Sequence, residues 1–205
     1  MKGLWQVIYL TGISGSGKSS LSDSLEQHIR PLKTYKYSEL LKDYIDSRNN
    51  EHIDHRDLRS KSASIITPED IALIDSKLTE EVNKYRNHSH VIIESHAVTK
   101  EEFGFRVTSF SLTVLKDLKT NVVIVLYCDP DIIFSRIKKN PNGRPLMTLS
   151  EINEFHHYVA SVAITYGILS SATVFFLDSS RDTKKLADEV FVELYKRNNR
   201  TEWIS

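Results

Sequence analysis

Directly behind the apolar stretch Val7-Ile8-Tyr9-Leu10 the chain carries Gly12-Ile-Ser14-Gly15-Ser16-Gly17-Lys18-Ser19. Few folds accommodate that order, because it demands a buried strand, a glycine-rich turn at its end and a helix leaving the turn. Glycines in such a turn let successive backbone N–H groups converge on phosphate oxygens, a lysine reaches the β and γ oxygens, and the next hydroxyl ligates Mg²⁺. The helix expected from Lys18 to His28, ended before Pro31, aims its positive N-terminal end at the same anion. Gly12, Ser14, Gly15, Ser16, Gly17, Lys18, Ser19 and Ser20 are therefore the candidate contacts of ATP, with Ser19 a candidate Mg²⁺ ligand. The competing reading is a glycine-rich turn that binds nothing.

Downstream, short β-branched or aromatic runs alternate with longer helix-period stretches, the pattern of a parallel α/β sheet covered on both faces. Five strands are expected: Gln6–Leu10, Thr34–Tyr37, His90–Glu94, Asn121–Cys128 and Thr173–Leu177. Thr67-Pro68-Glu69-Asp70 and Thr148 with Glu151 read as capping boxes, the second opening a long helix to about Leu169. Asp182 is expected to cap a last helix reaching Arg197. Asn140-Pro-Asn-Gly-Arg144-Pro145 interrupts two helices as a loop and does not divide the chain. One domain over 1–205 is the expectation, since 205 residues with 40% hydrophobic content bury a sizeable core.

With 27 basic and 27 acidic residues, the composition gives no electrostatic case for nucleic acid or an acidic membrane. Cys128, the lone cysteine, falls beside the apolar run Val122 to Tyr127, so an intrachain disulfide is excluded and a packed thiol expected. The absence of a leader-like or membrane-spanning stretch makes the cytoplasm the expected compartment.

In an open sheet of this kind ligands lie beyond the carboxyl ends of the strands. Glu94, ending the third strand, is placed to hold Mg²⁺ through water; a solvated strand-end carboxylate is the alternative. His96 either orients Glu94 or the backbone or touches substrate. Arg136, with Lys138 and Lys139, and Arg144 in the following loop form a candidate lid over the nucleotide, or else an ordinary basic helix end. Arg56 and Arg59, between strands two and three, suit a second substrate's phosphate or a mixed-sign surface turn. Adjacent residues on a helix diverge by about 100°, so His156 and His157 do not share a metal. His52 with His55, or His88 with His90, lack the further ligands of a zinc site. Phe103, Phe105 and Phe110 are expected in the core before stacking on a base.

The phosphate loop, Glu94-Ser-His96-Ala97, Asp129-Pro-Asp131 with Arg136, and Thr165-Tyr-Gly-Ile-Leu-Ser-Ser-Ala-Thr173 together resemble the archaeal-type adenylate kinases, small members of the nucleoside monophosphate kinase superfamily. The resemblance runs from about Gln6 to Leu177. It implies a sheet in the order 2-3-1-4-5, an acceptor region over about 38–88, a short lid over about 136–149, and transfer of the γ-phosphoryl of MgATP to AMP. By position it implies that Tyr37 and Ser38 line the acceptor site, Arg59 holds the acceptor phosphate, and Glu94 joins the Mg²⁺ shell. It likewise makes Arg136 and Arg144 lid arginines, brings 178–181 near the adenine of ATP, and allows a trimer. The chain departs from the family at Glu101-Glu-Phe-Gly-Phe-Arg106, where a glycine- and proline-rich loop shapes the acceptor site, and at Asn140-Pro-Asn-Gly, which fills a more basic stretch of lid. Arg106 is then a substitute phosphate contact or an exposed loop arginine.

The leading expectation is a phosphotransferase with Lys18, Arg59, Arg136 and Arg144 as its catalytic cations. A phosphate acceptor is already anionic, so positioning and charge neutralisation suffice without a strong base. A kinase for a hydroxyl acceptor, with Glu94 as base, and a slow ATP-dependent regulatory module remain the alternatives.

Overall fold

The computed structural model describes residues 5–49 and 65–200. Their elements run β1 (Val7–Gly12), α1 (Lys18–His28), β2 (Leu32–Lys36), α2 (Tyr37–Asn49), α3 (Pro68–Tyr85), β3 (His90–Glu94), β4 (Val98–Glu101), β5 (Gly104–Val107), α4 (Leu112–Leu118), β6 (Val122–Tyr127), α5 (Pro130–Lys139), α6 (Leu149–Ser170), β7 (Thr173–Asp178) and α7 (Thr183–Arg200).

Five strands form one sheet in the order β2-β3-β1-β6-β7, every pairing parallel. This is the expected 2-3-1-4-5 order once the extra hairpin is left out of the count. β1 lies at the centre, with Leu10 opposite Glu94 on one side and Gly12 opposite Leu126 on the other. Because successive strand side chains point to opposite faces, the strands feed two cores. Val7, Tyr9, Val91, Ile93, Val123 and Val125 pack beneath α3, α4, α5 and α6, while Ile8, Leu10, Ile92, Ile124 and Leu126 pack beneath α1 and α7. Both faces are apolar, which explains why the central strands read as unbroken hydrophobic runs.

The helix starts have the local causes that their sequences indicate. Thr67 and Asp70 exchange side-chain-to-backbone hydrogen bonds at the start of α3, with Pro68 in the first helical position. Thr148 and Glu151 do the same at α6, and Asp182 accepts from the Lys185 N–H at α7. Gly167 lets α6 settle on β7, because a methyl there would sit 2.2 Å from Val174 Cγ2. Cys128 is a buried free thiol, pushed up in pKa by desolvation.

Two local expectations are corrected. Tyr37 does not end the second strand but opens α2, since β2 stops at Lys36. The 101–106 segment is no open loop: Val98–Glu101 and Gly104–Val107 pair as an antiparallel hairpin closed by Glu102 and Phe103. Its turn carries none of the Asn-Gly or Asp-Gly signals of a two-residue hairpin, although Gly104 adopts φ +136°.

Candidate active site

β1 delivers its last residue, Gly12, into a space where a side chain does not fit: a methyl would lie 2.6 Å from Ser16 Oγ and 2.7 Å from the Leu126 carbonyl. Gly15 and Gly17 follow at φ +86° and +90°, and Gly17 is the left-handed residue from which α1 starts. The backbone therefore wraps back on itself and presents the first turn of α1 to the loop's interior. Lys18, itself buried, donates to the carbonyls of Gly12 at 2.8 Å and Ile13 at 3.0 Å, so its ammonium is held across the loop.

Opposite the loop stands the end of β3. Ser19 Oγ donates to Glu94 Oε1 at 2.7 Å, and Ser22 Oγ, one helical turn on, donates to Glu94 Oε2 at 3.1 Å. The two candidate Mg²⁺ residues thus meet directly. Their donor set is oxygen only, which fits a hard cation that retains waters and takes further oxygens from a nucleotide. Among the described residues no cluster of three or more His, Cys, Asp or Glu offers a site of another kind.

Arg136 reaches from α5 to join two strand ends, donating to the Gly15 carbonyl at 3.2 Å and the Ser179 carbonyl at 2.9 Å. It therefore fixes the phosphate loop against the segment after β7, where the sequence alone suggested a lid group. Arg144 lies in the loop after α5 and donates to the Asn140 carbonyl at 2.9 Å. Ser14 to Ser20, Ser38, Glu94, His96, Arg136 and Arg144 all border one open trough of about 590 Å³.

A second cavity, of about 160 Å³, adjoins this trough and shares Ser14, Ser38, His96 and Arg144 with it. Tyr37, Leu41, Phe110, Met147, Phe155 and Tyr166 supply its apolar walls. Phe110 stacks on Tyr166 with ring centroids 5.8 Å apart and meets Tyr37 edge-on at the same separation. Lys100 and Arg106 reach the cavity from the hairpin. Arg106 pairs with the buried carboxylate of Glu101 at 3.0 Å, and Lys100 pairs with Glu151 at 3.2 Å while lying over the Phe105 ring. Of the three phenylalanines considered from sequence, Phe110 lines the cavity, Phe105 packs on Phe155, and Phe103 is 74% exposed at the hairpin turn.

No sequence motif marks Asp75. It lies on α3, is 5% exposed, borders the inner cavity and accepts a 2.7 Å hydrogen bond from the Tyr37 hydroxyl. Desolvation raises its pKa to about 6 against the opposing pull of that hydrogen bond. A signal existed, because Ile71, Asp75, Leu78 and Val82 follow the spacing of one buried helix stripe. Ser22 was missed for want of any motif. Arg56 and Arg59, the candidate acceptor-phosphate residues, lie outside the described residues, as do His52 and His55.

A family model described as AAA domain matches residues 11–153, more than half of the chain. The chain is 25% identical over 171 residues to an adenylate kinase of Methanococcus vannielii, covering 82% of this chain and 86% of that one. It is 24% identical over 192 residues to an adenylate kinase of Pyrococcus horikoshii, 93% of each. Among solved structures it shares its fold with a shikimate kinase from Acinetobacter baumannii, at TM-score 0.53, 14% identity and 95% of each chain. A deoxyadenosine kinase from M. mycoides matches at TM-score 0.53 and 13% identity, over 93% of this chain and 100% of that one. The architecture is thus that of the small-molecule kinases built on a phosphate-binding loop. No helix among the described residues is long and apolar enough to cross a membrane.

Proposed function

Given that the chain belongs to the AAA domain family, we propose that it is a phosphotransferase that moves the γ-phosphoryl of MgATP to a nucleoside monophosphate, with AMP as the acceptor. The observation that carries this reading is the junction of the two cavities: an acceptor in the aromatic pocket meets a phosphoryl group in the trough at Ser14, Ser38, His96 and Arg144. The adenylate kinases of Methanococcus vannielii and Pyrococcus horikoshii add support over most of the chain.

The roles follow from charge. Backbone N–H groups of residues 14–19 and Lys18 hold the β and γ phosphates, and Ser19 with Glu94 holds Mg²⁺, which neutralises charge on the nucleotide when bound. Arg136 keeps the loop in register with the β7 end, and Arg144, at the junction, faces both phosphoryl donor and acceptor. Arg59 is proposed for the acceptor phosphate on resemblance alone. A hydroxyl acceptor is less well served. Among the described residues the acidic side chains bordering the trough are Glu39 and Glu94, both Glu94 oxygens are occupied by serine hydroxyls, and Asp75 borders the acceptor pocket but not the trough.

The test is nucleoside diphosphate formation from MgATP with a panel of nucleoside and deoxynucleoside monophosphates, read by chromatography, with Lys18→Ala as control. AMP- and Lys18-dependent ADP formation upholds the reading. Silence across the panel, with ATP still bound, overturns it in favour of a hydroxyl acceptor or a regulatory module.

A further inference from the structure

Asp75 is a buried carboxylate without a cationic partner among the described residues. Tyr37 gives its Oδ1 the one hydrogen bond that the carboxylate receives among them. The other neighbours that sense its charge are Tyr9 and Tyr166, which are also buried and apolar in body. Enclosing a carboxylate in such surroundings is costly unless its oxygens are satisfied. Asp75 borders the inner cavity, and an ionised carboxylate only accepts hydrogen bonds, so a ligand group that pairs with it from the cavity must be a donor. Asp75 borders the inner cavity and not the trough, whereas Arg144 borders both. A ligand carrying phosphate is repelled from the Asp75 end and drawn to the Arg144 end, which fixes its direction in the pocket.

We propose that Asp75 determines acceptor specificity: the ring that lies against the wall of Tyr37, Phe110 and Tyr166 is one that turns an exocyclic amino group or ring N–H toward the carboxylate, and rings lacking that donor are rejected. The proposal rests on the phosphotransfer reading above and extends it from a class of acceptor to a recognition rule. Tyr37 is the positioning residue. Its hydroxyl holds Oδ1 at 2.7 Å, and Asp75 with Tyr37 borders the cavity. A site that spends a buried polar group on a substrate donor discriminates strongly against an analogue without it, because that group is then left unpaired.

The experiment compares kcat/KM for matched monophosphates that differ in the donor alone: AMP with purine riboside 5′-monophosphate, CMP with its analogue lacking the amino group, and IMP, which keeps a ring N–H, with purine riboside 5′-monophosphate, which has none. For the base that the enzyme uses, the wild-type chain is expected to favour the donor-bearing member by at least about tenfold. Asp75→Asn keeps the size and turns an NH₂ donor toward the cavity, so the preference is expected to collapse or reverse. Tyr37→Phe releases Oδ1 and is expected to narrow the preference without abolishing it. A purely structural tie between α2 and α3 predicts equal losses for both members of each pair, and an unchanged ratio in Asp75→Asn overturns the proposal. If no monophosphate is phosphorylated, the phosphotransfer reading falls, and calorimetric titration of the same pairs still decides. Asp75-dependent discrimination in Kd upholds the recognition rule, while equal affinities or no binding overturn it.

Discussion

Replacing Asp75 by asparagine is expected to make the protein more stable, with a gain that depends on pH. In the fold the carboxyl titrates near 6, against 3.8 unperturbed, chiefly because burial disfavours its charge. The folded chain therefore binds this proton more tightly than the unfolded chain. Protonation of Asp75 favours the fold below about pH 4, and that advantage is lost as pH rises through 6. Above pH 7 the ionised carboxylate costs about 3 kcal/mol relative to a group that does not titrate. The asparagine side chain fills nearly the same volume and can still accept from the Tyr37 hydroxyl. The facing groups do not confuse the reading: burial raises Tyr9 to about 12 and also pushes up Tyr37 and Tyr166, so all three stay neutral. In urea unfolding at pH 4, 6 and 8, the variant should match the wild type at pH 4 and exceed it at pH 8. The corresponding rise in Tm at pH 8 is roughly 6–12 °C for a chain of this size. Equal stability at pH 8, or a gain that grows as pH falls, refutes the reasoning.

Other substitutions test the trough and the packing that supports it. Lys18→Ala should lower ADP formation at least about a hundredfold, since the cation that neutralises the transferring phosphoryl is gone, with the circular dichroism spectrum unchanged. Glu94→Gln leaves one of the hydroxyls of Ser19 and Ser22 without an acceptor; activity should fall and demand more Mg²⁺ in a metal titration. Arg136→Ala unties Gly15 from Ser179, and steady-state kinetics should show KM for ATP rising more than KM for the acceptor. Gly167→Ala drives a methyl into Val174 and should cost about 2 kcal/mol in urea unfolding.

The strand and helix plan was legible because each element carries its cause locally. The central strands are hydrophobic on both faces, and α3 and α6 announce themselves by capping boxes that form as written. His90–Glu94 and Lys18–His28 have the bounds their sequences predict. The β4–β5 hairpin was not legible. Glu102 and Phe103 lack turn chemistry, and the pairing of Val98 with Val107 is settled by what lies beneath it, including Phe105 on Phe155 of α6.

For the site, the division falls between groups adjacent in sequence and groups brought together by folding. Residues 12–20 encode their own loop, because glycines at φ +86° and +90° and a helix N-terminus bend the backbone without outside help. The sequence by itself thus determined that the chain makes a phosphate-binding loop on a parallel sheet. Only the tertiary structure decided that Ser19 and Ser22 close on Glu94 across 75 and 72 positions, and that Arg136 spans from Gly15 to Ser179. It alone set Asp75 beneath Tyr37 at the aromatic end of a second cavity. The physical reason is that a carboxylate's meaning lies in what surrounds it: on an exposed helix face Asp75 would be solvated, whereas in the packed core its oxygen must find a donor.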